Sequence, residues 1–323
     1  MSDREEKTGK NDNGKKNKGG KRNKIVAIEM IILVLLIMAA VAIFIQRDKS
    51  VKEAAKIHNQ KAKKTEQTPQ AAQKENEIEE ETEGTEEETG DRDAAVPDRS
   101  NFAVQPGVSV GTTEQSDEKI VYLTLDDGPS DNTQAVLDIL DKYNAKATFF
   151  VTGEMPEYKD MIKAAYDKGH TIGMHTYSHD YAKVYASVDA YFQDLDQIGQ
   201  MVQEEIGYVP CFIRFPGGSS NTVSKKYTAG IMSTLVQEVQ NRGYQYYDWN
   251  VSSGDGGTAT TEEIIAQSET DKYHQVMLLF HDAATKETTI EALPTVLEYY
   301  KNLGYSFKAI DRKSLVVHHQ VNN

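Results

Sequence analysis

The sequence predicts an α/β fold of the barrel type for the C-terminal part of the chain, and three observations lead to this prediction. After Lys119, short apolar runs alternate with amphipathic segments, which is typical of repeated β-α units around a parallel sheet. Gly169, Gly243 and Gly304 each follow an amphipathic segment, where a left-handed helix cap favours glycine. Polar clusters follow five of the seven apolar runs, as expected at the carboxyl ends of barrel strands.

Seven strands and six helices are predicted from these runs. The strands are residues 120–125, 147–152, 171–174, 211–215, 244–251, 276–280 and 306–310. The helices are residues 133–143, 158–168, 188–206, 228–242, 262–272 and 290–302. Strands joined in this order by helices predict a parallel sheet whose functional side chains lie at one end.

A different kind of segment precedes this domain. Residues 25–45 are apolar except for Glu29, and at ~1.5 Å of rise per residue a helix of this length crosses a bilayer core of ~30 Å. We predict a transmembrane anchor there, with the basic residues 1–24 as a cytoplasmic tail and the rest of the chain outside the cell. A cleaved signal peptide remains an alternative, because Ala40-Val41-Ala42 resembles a signal-peptidase site.

Composition separates a spacer from the folded domain. Residues 46–116 are rich in Lys, Gln, Glu and Thr, so burial cannot offset the entropy of ordering them, and we predict a disordered linker before a domain at residues 117–319. The formal net charge of −14 argues against nucleic acid as a partner. The single cysteine, Cys211, excludes an intrachain disulfide and a zinc site built from several thiolates. The sequence indicates no particular oligomeric state.

The first two polar clusters contain candidate metal ligands. Asp126 and Asp127 end the first strand, and two adjacent carboxylates that are buried there would need a cation or a shared proton. A plain turn is the alternative for this pair. His175 and His179 are four residues apart, a spacing that lets two imidazoles share a metal on one side of a helical turn. A surface or core pair of histidines is the alternative here.

The remaining clusters contain candidate catalytic groups. Arg214 ends the fourth strand before a Pro-Gly-Gly turn, where it could fix a carboxylate bidentately. Residues 248–255 end the next strand with acidic and aromatic groups. His281 closes an apolar strand, where it could donate a proton to a leaving amine or simply pack in the core.

Together and in this order, the five segments resemble the polysaccharide deacetylase family, the carbohydrate esterases that share the NodB homology domain. The resemblance spans roughly residues 119–310 and implies a distorted (β/α)7 barrel. It is carried by Asp126-Asp127, His175-Thr176-x-x-His179, Arg214-x-Pro216 and Leu279-x-His281.

The resemblance also implies roles for individual residues. Asp127, His175 and His179 would bind a divalent metal, usually Zn²⁺ in this family, although Co²⁺, Ni²⁺ or Mn²⁺ suit the same ligands. Asp126 would be the general base, with Arg214 orienting its carboxylate. His281, held and charged by Asp255, would protonate the departing nitrogen.

Further positions are implied to contact the substrate. The backbone N–H of Gly217 would stabilise the oxyanion, and Leu279 would line the pocket for the acetyl methyl group. Gly217 and Gly256 stand where many members of the family have Tyr and Trp, so an aromatic wall of the sugar groove is expected to be missing.

The function that the resemblance implies is metal-dependent hydrolysis of N-acetyl groups from a cell-wall polysaccharide. An anchored extracellular domain favours N-acetylglucosamine of peptidoglycan as the substrate. Chitin-like glycan, acetylated xylan and N-acetylmuramic acid remain open, because loops choose the sugar. A domain that kept the fold only to bind carbohydrate is the alternative from another functional class.

Overall fold

One parallel sheet organises residues 99–323, the part of the chain that the computed structural model describes. The strands are β1 Ile120–Asp126, β2 Ala147–Val151, β3 Thr171–Met174, β4 Phe212–Ile213, β5 Gln245–Tyr246, β6 Val251–Ser252, β7 Gln275–His281 and β8 Ser306–Phe307. They run in the order β5-β4-β3-β2-β1-β7-β6, and β8 pairs with the first residues of β1. The parallel α/β fold predicted from the sequence is confirmed in this form of a curled half-barrel.

Helices connect the strands in the way that parallel pairing requires. They are α1 Thr133–Lys142, α2 Asp160–Asp167, α3 Tyr181–Val184, α4 Val188–Ile206, α5 Ile231–Asn241, α6 Thr261–Ser268 and α7 Glu287–Asn302. Helix α4 has the predicted bounds because Ser187 caps its first turn by accepting the N–H of Ala190, and Gly207 ends it in the left-handed conformation. The short α3 was not predicted.

The strand expected at residues 244–251 is two strands. The N–H of Tyr247 still donates to the carbonyl of Ile213, next to β4, whereas the N–H of Asn250 donates to Met277 on β7. The segment between β5 and β6 therefore crosses from one edge of the sheet to the other. No strand pairing joins β5 to β6 within residues 99–323, so backbone hydrogen bonds do not close the barrel there.

Alternation of side chains along the strands divides the core into two clusters. On β1, Ile120 and Tyr122 belong to the inner cluster, whereas Leu123 and Leu125 belong to the outer cluster beneath the helices. Asp126 has the same parity as Tyr122 and therefore faces inward. The inner cluster consists of Val110, Ile120, Tyr122, Phe150, Cys211, Phe212, Tyr247, Met277, Ile310 and Leu315.

The packed part of the chain begins before residue 117. Residues 99–116 belong to the predicted linker, yet the Arg99 guanidinium donates to the carbonyls of Tyr166 and His170, and Val110 is buried in the inner cluster. Ala103 and Thr112 form isolated bridges with the body of the domain. The prediction of disorder is wrong for this stretch, because a few well-spaced apolar residues provide burial that the average composition conceals.

The predicted cytoplasmic tail, the transmembrane helix at residues 25–45 and most of the linker lie outside the described residues. Among residues 99–323, no helix combines the length and the apolar composition that crossing a membrane requires.

Candidate active site

Four predicted site residues converge because each stands at an inward position at the carboxyl end of a strand. Asp126 and His281 are register partners on β1 and β7. The N–H of His175, just after β3, donates to Val151, and the N–H of Arg214, just after β4, donates to Met174. The pleat alone directs these side chains into the mouth of the half-barrel.

Asp127, His175 and His179 form a cluster that fits a metal ion. The Oδ1 atom of Asp127 lies 3.5 Å from Nε2 of His175 and 3.4 Å from Nε2 of His179. All three ligand atoms lie within 4.8 Å of one another. The Oδ1 atom is buried and has no hydrogen-bond partner among the described residues, which is costly unless a cation faces it. One carboxylate and two imidazoles leave open coordination positions, as a hydrolytic metal site requires.

The state of His175 suits a ligand. Its Nδ1 atom lies 2.9 Å from the carbonyl oxygen of Arg214, so the proton on Nδ1 is donated there and Nε2 keeps its lone pair. Burial, reinforced by the neighbouring His179, lowers the pKa of His175 to about 3. The ring is therefore neutral near pH 7.

The loop that presents the ligands is held in an unusual backbone conformation. Asp127, Thr176 and His179 have positive φ angles of 71°, 116° and 46°, which non-glycine residues adopt rarely. The buried carboxylate of Asp194 on α4 accepts the backbone N–H of Tyr177 at 2.5 Å and that of Ser178 at 3.1 Å. It also accepts the hydroxyl of Ser178 at 2.6 Å. These three hydrogen bonds stabilise a loop whose own dihedral preferences oppose its shape.

Asp126 lies on one side of the metal cluster, paired with a buried arginine. Its Oδ1 accepts from Nη1 of Arg214 at 2.8 Å, and its Oδ2 lies 3.8 Å from Nε2 of His175. Arg214 has no exposed surface and also donates to Thr124 and to the carbonyls of Tyr247 and Asp248. Burial raises the pKa of the Asp126 carboxyl, and the guanidinium opposes that rise.

His281 ends β7 next to Asp126 and is bound to Asp255. Its Nδ1 atom lies 2.6 Å from Oδ1 of Asp255, and its backbone N–H donates to Oδ2 at 2.8 Å. Ser253 and Thr289 fill the remaining acceptor positions of this carboxylate. Burial alone would lower the pKa of His281, but the hydrogen bond and charge of Asp255 outweigh it and raise that pKa. Nε2 is left as the ring nitrogen that can exchange a proton with a substrate.

The two predicted substrate positions lie in the same region. Leu279 is buried on β7, beside Thr124 of β1. Gly217 lies in the turn after β4 with a φ of +74°, a conformation that glycine adopts without strain. The hydroxyl of Tyr185 donates to the carbonyl of Pro216 at 2.8 Å and fixes the start of this turn. Gly256 lies beside the ring of His281, where a Cβ atom would be 3.2 Å from Cε1.

Several residues of the site were not predicted. Asp194 could have been found, because it interrupts the buried stripe of α4 between Tyr191 and Ile198, where an unpaired carboxylate would be costly. Asp248 was noted only as part of a cluster, yet its carboxylate accepts both the N–H and the hydroxyl of Ser219 and so holds the glycine turn. No pattern in the sequence around Tyr181 predicted that this residue lies at the site.

The fold and this arrangement of carboxylates and imidazoles define a hydrolase, and the comparisons agree with that class. A family model described as polysaccharide deacetylase matches residues 113–236. The chain belongs to the polysaccharide deacetylase family, as its resemblance predicted.

Relatives and solved structures named as deacetylases match about two thirds of this chain. The crystal structure of the catalytic domain of peptidoglycan N-acetylglucosamine deacetylase from Eubacterium rectale is 42% identical, covers 67% of this chain and 98% of that one, and has a TM-score of 0.63. Putative polysaccharide deacetylase YheN of Bacillus subtilis is 28% identical over 64% of this chain and 72% of its own length. A peptidoglycan-N-acetylglucosamine deacetylase of Bacillus cereus is 29% identical over 65% of this chain and 78% of its own length.

Proposed function

We propose that this chain hydrolyses the N-acetyl groups of N-acetylglucosamine residues in peptidoglycan, with a divalent cation bound by Asp127, His175 and His179. The observation that carries the proposal is that this cluster lies at the same strand ends as a carboxylate paired with arginine and a histidine paired with a carboxylate. A protein that only bound sugar would need neither a proton acceptor nor a proton donor beside a cation site. The E. rectale and B. cereus relatives, both named as peptidoglycan N-acetylglucosamine deacetylases, support the choice of sugar.

The cation would be zinc, which prefers imidazole and carboxylate ligands in a site with open positions. When bound, it supplies Lewis-acid polarisation of the acetyl carbonyl and lowers the pKa of coordinated water. The buried Oδ1 of Asp127, which has no hydrogen-bond partner among the described residues, and the nearby Nε2 atoms of the two histidines support a cation at this position.

Asp126 and His281 divide the proton transfers between them. Water adds to the acetamide carbonyl carbon while the Asp126 carboxylate takes one of its protons. Arg214 keeps this carboxylate oriented and favours its ionised form. The backbone N–H of Gly217 stabilises the negative charge that develops on the carbonyl oxygen, and one such donor is typically worth about 3 kcal/mol.

His281 completes the reaction. Protonated on Nε2, it transfers that proton to the amide nitrogen as the C–N bond breaks and the bonding electrons move to nitrogen. Acetic acid, which ionises at neutral pH, and a sugar amine result. Asp255 keeps the ring oriented and stabilises its charged form, while Leu279 contacts the acetyl methyl group.

The location of the enzyme is a further part of the proposal. The apolar residues 25–45 would anchor the chain in the cell membrane with residues 1–24 in the cytoplasm, and the linker would let the domain reach the wall. Membrane fractionation of the full chain and of a variant without residues 1–45 tests this. The full chain should sediment with membranes and the shortened chain should not. Equal distribution of the two would contradict the anchor.

Acetate release from defined glycans tests the activity. Purified protein should release acetate from peptidoglycan fragments and N-acetylglucosamine oligomers, lose this activity with a chelator and regain it with Zn²⁺. Mass spectrometry should show a loss of ~42 Da per modified sugar, the mass of acetyl exchanged for hydrogen. Parallel reactions with N-acetylmuramic acid and acetylated xylan identify the preferred sugar. Because N-acetylglucosamine oligomers are fragments of chitin, their rate relative to that of peptidoglycan fragments identifies the preferred polymer. Binding without acetate release from any of them would identify a carbohydrate-binding module instead.

A further inference from the structure

Tyr181 lies at the mouth of the site but belongs to none of the motifs that carry the resemblance. It is the first residue of α3, two positions after His179. Its ring meets that of His179 edge-on, with centroids 5.9 Å apart and an interplanar angle of 85°. On its other side it packs against Tyr185, with centroids 5.4 Å apart. The phenol is therefore held between the metal cluster and the wall of the barrel.

The hydroxyl of Tyr181 reaches the glycine turn. A Cβ atom on Gly217 would lie 2.6 Å from Oη of Tyr181 and 3.5 Å from Cζ, so the hydroxyl occupies the space into which a side chain at position 217 would project. The start of α3 and the glycine turn after β4 are therefore in direct contact, although they are distant in sequence. Glycine in the turn is what allows the tyrosine to be there.

This hydroxyl has no internal role that the structure reveals. Tyr181 is half-buried, and its Oη makes no hydrogen bond to any other residue in the described range. A partly shielded phenol normally finds a partner for its polar end. The neighbouring Tyr185, by contrast, is buried and donates to Pro216.

Other aromatic residues near the site are engaged in packing. The ring of Tyr177 lies over Gly153, where a Cβ atom would be 2.3 Å from Cδ2. Trp249 packs against Gly218 and meets the ring of His319 edge-on at 4.7 Å. Tyr181 is thus the aromatic residue whose polar end lies between the metal ligands and the turn that carries the oxyanion donor.

We propose that Tyr181 is a substrate-contacting residue that determines specificity, its hydroxyl forming a hydrogen bond with the sugar ring that bears the acetyl group. This inference rests on the proposed function, because it assigns a partner for the same site. A phenol next to the turn can reach the sugar while the acetyl group lies at the metal cluster. Recognition of this kind favours glycans over acetyl compounds that have no sugar.

Two substrates and the variant Tyr181→Phe test the contact. The variant keeps the ring and its packing but loses the hydroxyl. We expect kcat/KM for N-acetylglucosamine oligomers to fall about tenfold, as for loss of one substrate hydrogen bond. Hydrolysis of a small aryl acetate and the bound zinc content should not change. Tyr273→Phe, an exposed tyrosine that precedes β7 at the opposite end of that strand from His281, is the matched control and should behave as wild type.

A double-mutant cycle tests the placement independently of any substrate. Gly217→Ala should lower the thermal stability of the wild-type background through both the positive φ and the contact with Oη. In the Tyr181→Phe background, Gly217→Ala should lower the thermal stability less. Without the hydroxyl, the nearest ring atom to the new Cβ is Cζ at 3.5 Å, which is an ordinary van der Waals contact. Equal losses in the two backgrounds would show that the hydroxyl is not against Gly217 and would overturn the inference.

The outcomes separate the inference from the proposed function. Wild-type activity on glycans with no loss in Tyr181→Phe overturns the inference alone, as does an equal loss on glycan and aryl acetate. If the wild type released no acetate from any glycan, the proposed function would fail. Calorimetric binding of the same oligomers would then decide the role of Tyr181: weaker binding by Tyr181→Phe supports it, and equal binding overturns it.

Discussion

Nδ1 of His281 lies 2.6 Å from Oδ1 of Asp255, and the backbone N–H of the same histidine donates to the second oxygen of that carboxylate. Asp255 therefore fixes both the ring and the main chain of the proposed acid. It also reverses the effect of burial, since the pKa of His281 is raised although the ring is largely desolvated.

Asp255→Asn should move the alkaline limb of the pH profile of kcat/KM to lower pH. An acid must be protonated to act, and activity is lost as pH rises through its pKa. Removing the carboxylate charge lowers the pKa of His281, so the loss begins at lower pH, and the peak rate falls as well. Ser253→Ala, which removes only a hydroxyl bound to the same carboxylate, should shift the limb less. An unchanged limb would show that another group is the acid.

Asp126→Asn and His179→Ala should separate catalysis from metal binding. The first variant keeps a side chain of the same shape next to Arg214, so it should retain bound zinc while kcat falls about 10²- to 10⁴-fold through loss of the base. The second removes one of three ligands and should lose zinc first. Metal content and acetate release, measured on the same samples, show whether each residue acts in catalysis or in metal binding. Full activity in either variant would refute the assigned role.

Asp194→Ala should weaken metal binding from a distance. It leaves the partly buried N–H groups of Tyr177 and Ser178 without their acceptor, at a cost of at most about 1–3 kcal/mol each. The loop with positive φ angles would then relax, and zinc affinity should fall about tenfold or more, as when other supporting partners of a metal site are removed. Asp196→Ala, at an exposed position of the same helix, is the control. Competition with a chromogenic chelator measures the zinc affinity of each variant. Equal zinc affinities of Asp194→Ala and Asp196→Ala would contradict the supporting role of Asp194.

Asp282→Asn should change how stability depends on pH. Burial raises the pKa of the Asp282 carboxyl to about 7 in the folded protein, from an ordinary value of 3.8. The folded state thus holds a proton that the unfolded chain releases, so the wild type loses stability as pH rises from about 4 to about 7 and no further above that.

Asparagine does not titrate, so the variant keeps its stability as the pH rises. Its free energy of unfolding relative to that of the wild type should therefore increase by about 4 kcal/mol over this range, since one pKa unit corresponds to about 1.4 kcal/mol. Urea unfolding of metal-free protein at a series of pH values measures the difference. Asp271→Asn, at an exposed position, should show no such trend. A constant difference between Asp282→Asn and wild type across the range would contradict the shift.

Much of the site could be predicted because its key residues occupy inward positions at strand ends. A residue's parity along a strand decides which face it points to, and Asp126 and His281 have the parity of the inner face. The spacing of His175 and His179 predicted a shared metal on a helical turn, but both residues lie on a loop in which Thr176 and His179 have positive φ angles. The predicted helical geometry was therefore wrong, although the two imidazoles do meet at Asp127. The sequence could not show that residues 99–116 pack on the domain, or that residues 247–250 cross between sheet edges. Both depend on distant partners, Leu315 and β7 among them.

Alternation, turn residues and spacing were enough to predict the parallel α/β class and the strand ends at which the polar clusters lie, because these patterns act over a few neighbouring residues. The family was predicted from the resemblance of the five motifs to those of known deacetylases. The folded structure was needed to show that Asp194 supports the loop of the proposed metal ligands and that the hydroxyl of Tyr181 fills the space beside Gly217. Such contacts join residues far apart in the chain, and the curl of the sheet sets which of them meet.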